Sequence, residues 1–250
     1  MAEEKKLSFL EHIRELRNRL MWSAIAILIA IPIAYYLTDK YLLLLMSVSP
    51  GIELIYTEVT EMLGTYIKFS LLIAFVLVLP FIMFQFIMFV RPALNKRERN
   101  YLYFMLPAVF ILFIMGAVFA YFVLLPPAIN FLLTFQSDIA TPMIKIGNYV
   151  SIMTKLIFWI GVCFEIPLVM FFLTKIGIVK PEMLSKFRKW AFILAFVLGA
   201  IITPTMDPVN QTLVAVPIII LYEFGILLSK IARGKKKQEE TEKAELEGSV

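Results

Sequence analysis

The sequence predicts an all-α integral membrane protein with six transmembrane helices, both termini cytoplasmic, and kinked helices forming a concave wall. Three observations lead there. Of the 250 residues, 60% are hydrophobic and 17% charged, with a mean hydropathy of +0.84, whereas a soluble domain is typically about 45–50% apolar and about 25% charged. Long apolar runs recur without the two-residue alternation of barrel strands. Basic residues concentrate in alternate loops, the pattern that sets membrane orientation.

The N-terminal segment, 1–19, reads as a cytoplasmic amphipathic helix. In "FLEHIRELRNRL" (9–20), Leu10, Ile13, Leu16 and Leu20 recur at helical spacing, while Glu11, Arg14, Glu15 and Asn18 share another face. Its charges extend to Arg19 and no short apolar stretch with a small-residue cleavage site follows, so a cleavable signal peptide is not expected. A six-helix transmembrane domain over 20–233 comes next, with spans near 20–38, 68–90, 102–124, 151–174, 190–203 and 212–229. The fifth run, "WAFILAFVLGAIIT", holds only 14 residues. At about 1.5 Å per residue it reaches roughly 21 Å, against a hydrocarbon core of about 30 Å. Neighbouring helices would cover the shortfall, or the bilayer would thin there.

Pro32, Pro80, Pro107, Pro167 and Pro217 fall inside spans, and each removes a backbone hydrogen bond and tends to kink its helix. The outer loops, 39–67 and 125–150, mix apolar and polar residues and are expected to form short helices or caps. The tail, 234–250, is polar and expected to be disordered. The N-terminus, the loops after spans two and four, and the tail together carry 20 of the 24 Lys and Arg residues. The other side carries acids instead, among them Asp39, Glu61 and Asp207. The formal charge of +5 therefore reflects topology and not nucleic-acid binding.

Three stretches could carry function. In the first helix, Glu15 either pairs locally with Arg19, worth about 0.2–0.5 kcal/mol, or offers its carboxylate to a partner's cation. In "FVRPALNKRERN" (89–100), Glu98 is either neutralised by its arginine neighbours or held by them to accept a guanidinium in bidentate fashion. Within "KLIFWIGVCFEIPLVMFFL" (155–173), Glu165 is the only charge between Lys155 and Lys175. An intramembrane carboxylate faces protein interior or a watery cavity, so Glu165 is either a structural group between helices or a polar spot in a cytoplasm-open groove. Glu223, in "YEFG", sits in a similar setting.

Catalysis has little support. The single His12 and the single Cys163 are far apart in sequence, one in the amphipathic helix and one in a span. No HExxH, GxSxG or phosphate-loop pattern is present, and neither a metal nor another cofactor is expected.

Taken in order, "HIRELRNRL" before the first span, "FVRPALNKRER" after the second, "FEIP" in the fourth and "ITPTMDPVNQT" between the short last two resemble the TatC family. Its members are multispanning receptor subunits of the twin-arginine protein translocase. The resemblance covers nearly all of 7–233 and implies binding of twin-arginine signal peptides of folded cargo proteins at the cytoplasmic face of the bacterial inner membrane. It implies recognition by Glu15 and Glu98, with Arg17, Phe89, Pro92 and Arg99 around them, and an intramembrane polar role for Glu165. Asp207 and Gln211 would belong to an outer-loop or partner site, although "TPTMD" is one residue longer than the usual "TPPD". Expected partners are single-span TatA- or TatB-type subunits in a homo- or hetero-oligomer, driven by the proton-motive force. A different class, a proton-coupled small-solute transporter using Glu165, would require an internal repeat and polar residues on several facing helices, neither of which is visible. An intramembrane hydrolase would require a nucleophile–base pair.

Overall fold

The computed structural model describes the backbone of residues 9–48, 54–90, 96–134, 143–203 and 207–248. Helix α1 runs without interruption over Phe9–Met46, so the expected interfacial helix and the first span are one rod. Its 38 residues reach about 57 Å, well beyond a hydrocarbon core of about 30 Å. The sequence reading stopped the span at Thr38-Asp39-Lys40, but no Gly or Pro breaks the chain there. Thr38 satisfies its hydroxyl on the Ala34 carbonyl (3.0 Å) and shares a hydrogen bond with Ser70 of the next helix (2.8 Å).

Helix α2 (Glu61–Val90) returns against α1. Small residues form part of this seam: Ala30 and Ala34 meet Ala74 and Val78, the close packing on which helix pairs in lipid depend. Helix α3 (Lys96–Phe119) continues through a π-helical turn (Ala120–Leu124) into α4 (Leu125–Thr134). Within the turn the Leu125 N–H reaches back to the Ala120 carbonyl. Pro126 and Pro127 follow directly and have no N–H to continue the regular ladder.

Helices α5 (Ile146–Cys163) and α6 (Ile166–Lys175) form a second interrupted rod. A short α7 (Pro181–Lys186) leads into α8 (Arg188–Ile202), and α9 (Pro208–Gly248) closes the chain. Val150, Met153 and Ile160 of α5 are fully buried and join the largest core, to which α2, α4, α8 and α9 also contribute. Where α3 crosses α5, Gly116 and Gly161 bring the backbones together: a Cβ on Gly116 would stand 2.9 Å from the Gly161 Cα, and one on Gly161 would meet the Phe113 ring at 2.6 Å.

Five helical segments among the described residues are long and apolar enough to cross a membrane: Ile13–Met46, Glu61–Phe89, Met105–Thr134, Ile146–Lys175 and Pro208–Gly234. Helix α8, with 15 residues, is shorter than these, as the sequence indicated. The outer loops are shortened by extension of α1 and α4, and are joined by a two-residue parallel pairing, β1 (Leu54–Ile55) on β2 (Ile144–Lys145), with Leu54 opposite Ile144. The tail expected to be disordered continues α9 to Gly248. Its composition permits this, because Lys, Gln, Glu and Ala are good helix formers. Of the five span prolines, only Pro167 coincides with an interruption; Pro32, Pro80, Pro107 and Pro217 lie inside continuous helices.

Candidate functional site

At the N-terminal end of α1, Arg19 links two helices. One guanidinium nitrogen donates to Glu15 Oε1 at 3.0 Å, one helical turn back, and the other donates to Gln85 Oε1 of α2 at 2.9 Å. Gln85 is buried, and the Glu15 and Arg19 side chains are 22% and 26% exposed. The local pairing of Glu15 is therefore real, but it belongs to a three-residue chain that pins the carboxylate against the α1–α2 seam. Among the described residues Glu15 Oε2 accepts no hydrogen bond, so part of its acceptor capacity is unused.

Phe89 lies one turn beyond Gln85 on the same face of α2 and is half-buried. Arg17 is exposed. Pro92 lies outside the described residues, and so do the side chains of Glu98 and Arg99, whose backbone opens α3. The sequence reading missed Gln85. Its signal was an amide inside the otherwise apolar "PFIMFQFIMFV", the same kind of oddity that drew attention to Glu165.

Glu165 sits where α5 ends and α6 begins. Its N–H bonds to the Val162 carbonyl (3.0 Å) and its carbonyl accepts from Val169 N–H (2.9 Å), while Pro167 supplies no donor to the ladder. Both carboxylate oxygens are buried and have no hydrogen-bond partner among the described residues, while the residue as a whole is half-buried. The neighbours explain the burial. Phe164 packs on Phe119, with ring centroids 5.5 Å apart, and α9 comes close enough that a Cβ on Gly225 would strike Met170 Sδ at 2.5 Å. Buried polar groups are normally paired, so this interruption is polar beyond what its surroundings satisfy.

At the opposite end, Asp207 caps α9. Its Oδ1 accepts the Asn210 backbone N–H (2.7 Å), its Oδ2 accepts the Asn210 amide (3.0 Å), and Pro208 occupies the first helical position. Gln211 donates to the Phe196 carbonyl of α8 at 2.8 Å and lines an apolar hollow of about 470 Å³ with Phe192, Phe196 and Ile201. Both residues therefore have structural work in the chain itself. A further carboxylate, Glu61, was read only as an outer-side charge. It accepts Thr57 N–H and Gly147 N–H, each at 3.0 Å, tying the start of α2 to the start of α5 beside the β1–β2 pairing.

On the face bearing the basic loops, Arg188 pairs with Glu223 at 2.8 Å, Arg233 pairs with Glu182, and Tyr222 donates to the Leu184 carbonyl. The Glu182 carboxyl is held below the usual range by its own backbone N–H and by the Arg233 guanidinium. Among the described residues, no group of three or more His, Cys, Asp and Glu side chains could hold a metal ion, and Cys163 is a buried free thiol.

Fold and site together define a helical, multispanning membrane protein with polar groups at helix seams and interruptions. Comparison with known proteins makes this specific. The family model described as Sec-independent protein translocase protein (TatC) matches residues 11–217. A Sec-independent protein translocase protein TatC of Aquifex aeolicus is 42% identical over 91% of this chain and 97% of its own length. Its counterpart in Carboxydothermus hydrogenoformans is 37% identical over 94% and 97%, and TatCy of Bacillus subtilis is 33% identical over 93% and 92%. A crystal structure of a twin-arginine translocase receptor, TatC, superposes with a TM-score of 0.80 at 42% identity, covering 89% of this chain and 99% of that one. The chain belongs to the TatC family of protein-translocase components, which are membrane proteins and not enzymes.

Proposed function

We propose that this chain is the receptor that captures twin-arginine signal peptides of folded cargo, with Glu15 and Glu98 accepting the arginine pair. The observation that carries the proposal is the Glu15–Arg19–Gln85 chain. It holds a carboxylate in place with one oxygen still able to accept, so that little side-chain entropy is lost when a guanidinium docks. Arginine is favoured over lysine because its planar donors match a carboxylate bidentately. Phe89, on the strip beyond Gln85, offers an apolar surface, and Arg17, Pro92 and Arg99 complete the rim.

In this reading both termini are cytoplasmic, since the basic ends and loops share one side. Helix α8 is the sixth, short span, and the protein resides in the bacterial inner membrane. The signal peptide's apolar segment runs along the helices toward Glu165, whose buried carboxylate is reserved for a polar side chain delivered by cargo or by a TatA- or TatB-type subunit. That subunit docks on the α8–α9 hollow near Gln211 and Asp207, and the working unit is an oligomer.

The test is binding of a synthetic twin-arginine signal peptide to the purified protein in detergent, with a twin-lysine peptide as control. Glu15→Ala with Glu98→Ala is expected to weaken the arginine peptide about a hundredfold, two charge-assisted contacts at about 1.5 kcal/mol each, and to leave the lysine peptide unchanged. Equal binding of both peptides to the unaltered protein would place recognition in another subunit.

A further inference from the structure

A cleft of about 580 Å³ lies between α7 and the end of the apolar stretch of α9. Ser185 and Lys186 of α7 line it together with Lys230, Arg233 and Gly234 of α9. Arg233 is paired with Glu182, which also lines the cleft. Lys186 and Lys230 have no ion-pair or hydrogen-bond partner among the described residues and are exposed. Two cations are thus uncompensated in one concave site.

Its position is equally informative. The apolar run of α9 gives way to Ser229, Lys230 and Arg233, so the cleft sits where the apolar rod meets water. Apolar side chains adjoin it on both elements: Met183 of α7, and Leu227 and Ile231 of α9, are exposed. Leu227 lies one turn below Lys230, on the strip that leads from the cations into the membrane. Gly234 adds a third observation. A Cβ placed there meets nothing within 4 Å, so no packing contact requires a glycine, although glycine is the residue a helix interior tolerates least after proline. The space beside Gly234, one of the residues that line the cleft, is open.

We infer that this α7–α9 cleft is a binding site for the phosphate headgroup of an anionic phospholipid. Lys186 and Lys230 ion-pair with the phosphate, Ser185 donates to it, and the acyl chains lie along Leu227 and Met183. Basic pockets at helix ends on the positively charged side of membrane proteins are suited to such headgroups. The mixed character of the site, cations above and exposed apolar residues below, favours a lipid over a free phosphate or an acidic protein segment, either of which would use the cations alone.

The experiment is native mass spectrometry of the delipidated full chain in detergent, titrated with phosphatidylglycerol and, separately, phosphatidylcholine. Phosphatidylglycerol is expected to bind at least fivefold more tightly. The Lys186→Gln, Lys230→Gln double variant is expected to lose about tenfold of that affinity, on the basis of the attraction each basic residue contributes near an anionic surface. Gly234→Leu, which removes no charge, is expected to weaken binding by blocking the cleft. Lys40→Gln with Lys68→Gln, at the other end of the molecule, is expected to have no effect.

An equal loss in that control pair, or no loss in the cleft variants, would overturn the site. Displacement of the lipid by millimolar inorganic phosphate would reassign the cleft to free phosphate, and displacement by a hexaglutamate peptide would reassign it to an acidic protein partner. Either would overturn the lipid assignment. Thermal unfolding of each variant separates loss of binding from loss of fold.

Discussion

Glu15 and Glu165 are the same side chain in opposite circumstances. Glu15 is partly exposed at a helix end and has an arginine partner that is itself fixed by a buried amide. At a helix interruption the Glu165 oxygens are buried, and neither has a hydrogen-bond partner among the described residues. The first arrangement holds a charge in place where water can still reach it. The second leaves a polar group in apolar surroundings, a cost that natural proteins accept mainly at functional positions. In the proposed function, catching a charged motif and then accommodating a longer apolar ligand would use both.

The largest effect is expected at Glu165. Replacement by leucine removes a buried polar group for which the described residues supply no well-formed hydrogen bond, so Glu165→Leu should stabilise the protein by about 1–3 kcal/mol, read by denaturant unfolding in detergent micelles. In the proposed function it also abolishes translocation. Destabilisation instead would mean that the carboxylate is bonded in the folded protein, and the contrast with Glu15 would be lost.

At the N-terminal end of α1 the dependence should run the other way. Gln85→Leu removes the acceptor that fixes a partly buried guanidinium, and a loss of about 1.5 kcal/mol is expected, the lower range for a hydrogen bond to a charged group. The variant should also weaken arginine-peptide binding while Glu15 itself is intact. Unchanged binding would show that Arg19 positions Glu15 without help from α2. Glu15→Gln by itself should cost less than 0.5 kcal/mol in about the range of an i,i+4 pair, so its effect on peptide binding can be read without a folding correction.

The smallest effect belongs to pH. Because folding lowers the Glu182 pKa below its ordinary 4.5, the contribution of its contact with Arg233 is fully present above that value and fades as pH falls through the lowered one. Peptide binding measured between pH 7 and 5 should therefore show no loss from this pair. Below pH 4 the α7–α9 contact should loosen, visible as faster hydrogen exchange in Pro181–Lys186. Loosening that begins at pH 6 would point to a different titrating group.

Much of the architecture could be read along the chain. The long apolar runs marked the spanning helices, and the short run near 190–203 appeared as the 15-residue α8. Glu165 stood out because it is a lone charge in such a run, and the structure places it at the one interruption between α5 and α6. Boundaries were less legible. Helix α1 extends to Met46 because Thr38 satisfies itself on its own helix and on Ser70, a contact 32 residues away that no local pattern announces. The packing near Glu165 is hidden for a similar reason: only the fold brings Phe164 against Phe119 and Gly225 against Met170.

What the sequence by itself determined is the class of structure, its membrane placement and which polar residues are out of keeping with their neighbours. Those properties depend on hydrophobicity, length and spacing, which add up over consecutive residues. Only the tertiary structure decided the partners. Arg19 reaches Gln85 across 66 residues and Gly147 reaches Glu61 across 86. Such pairs follow from helix packing, where glycines such as Gly116 and Gly161 set how closely two backbones approach and hence which side chains meet.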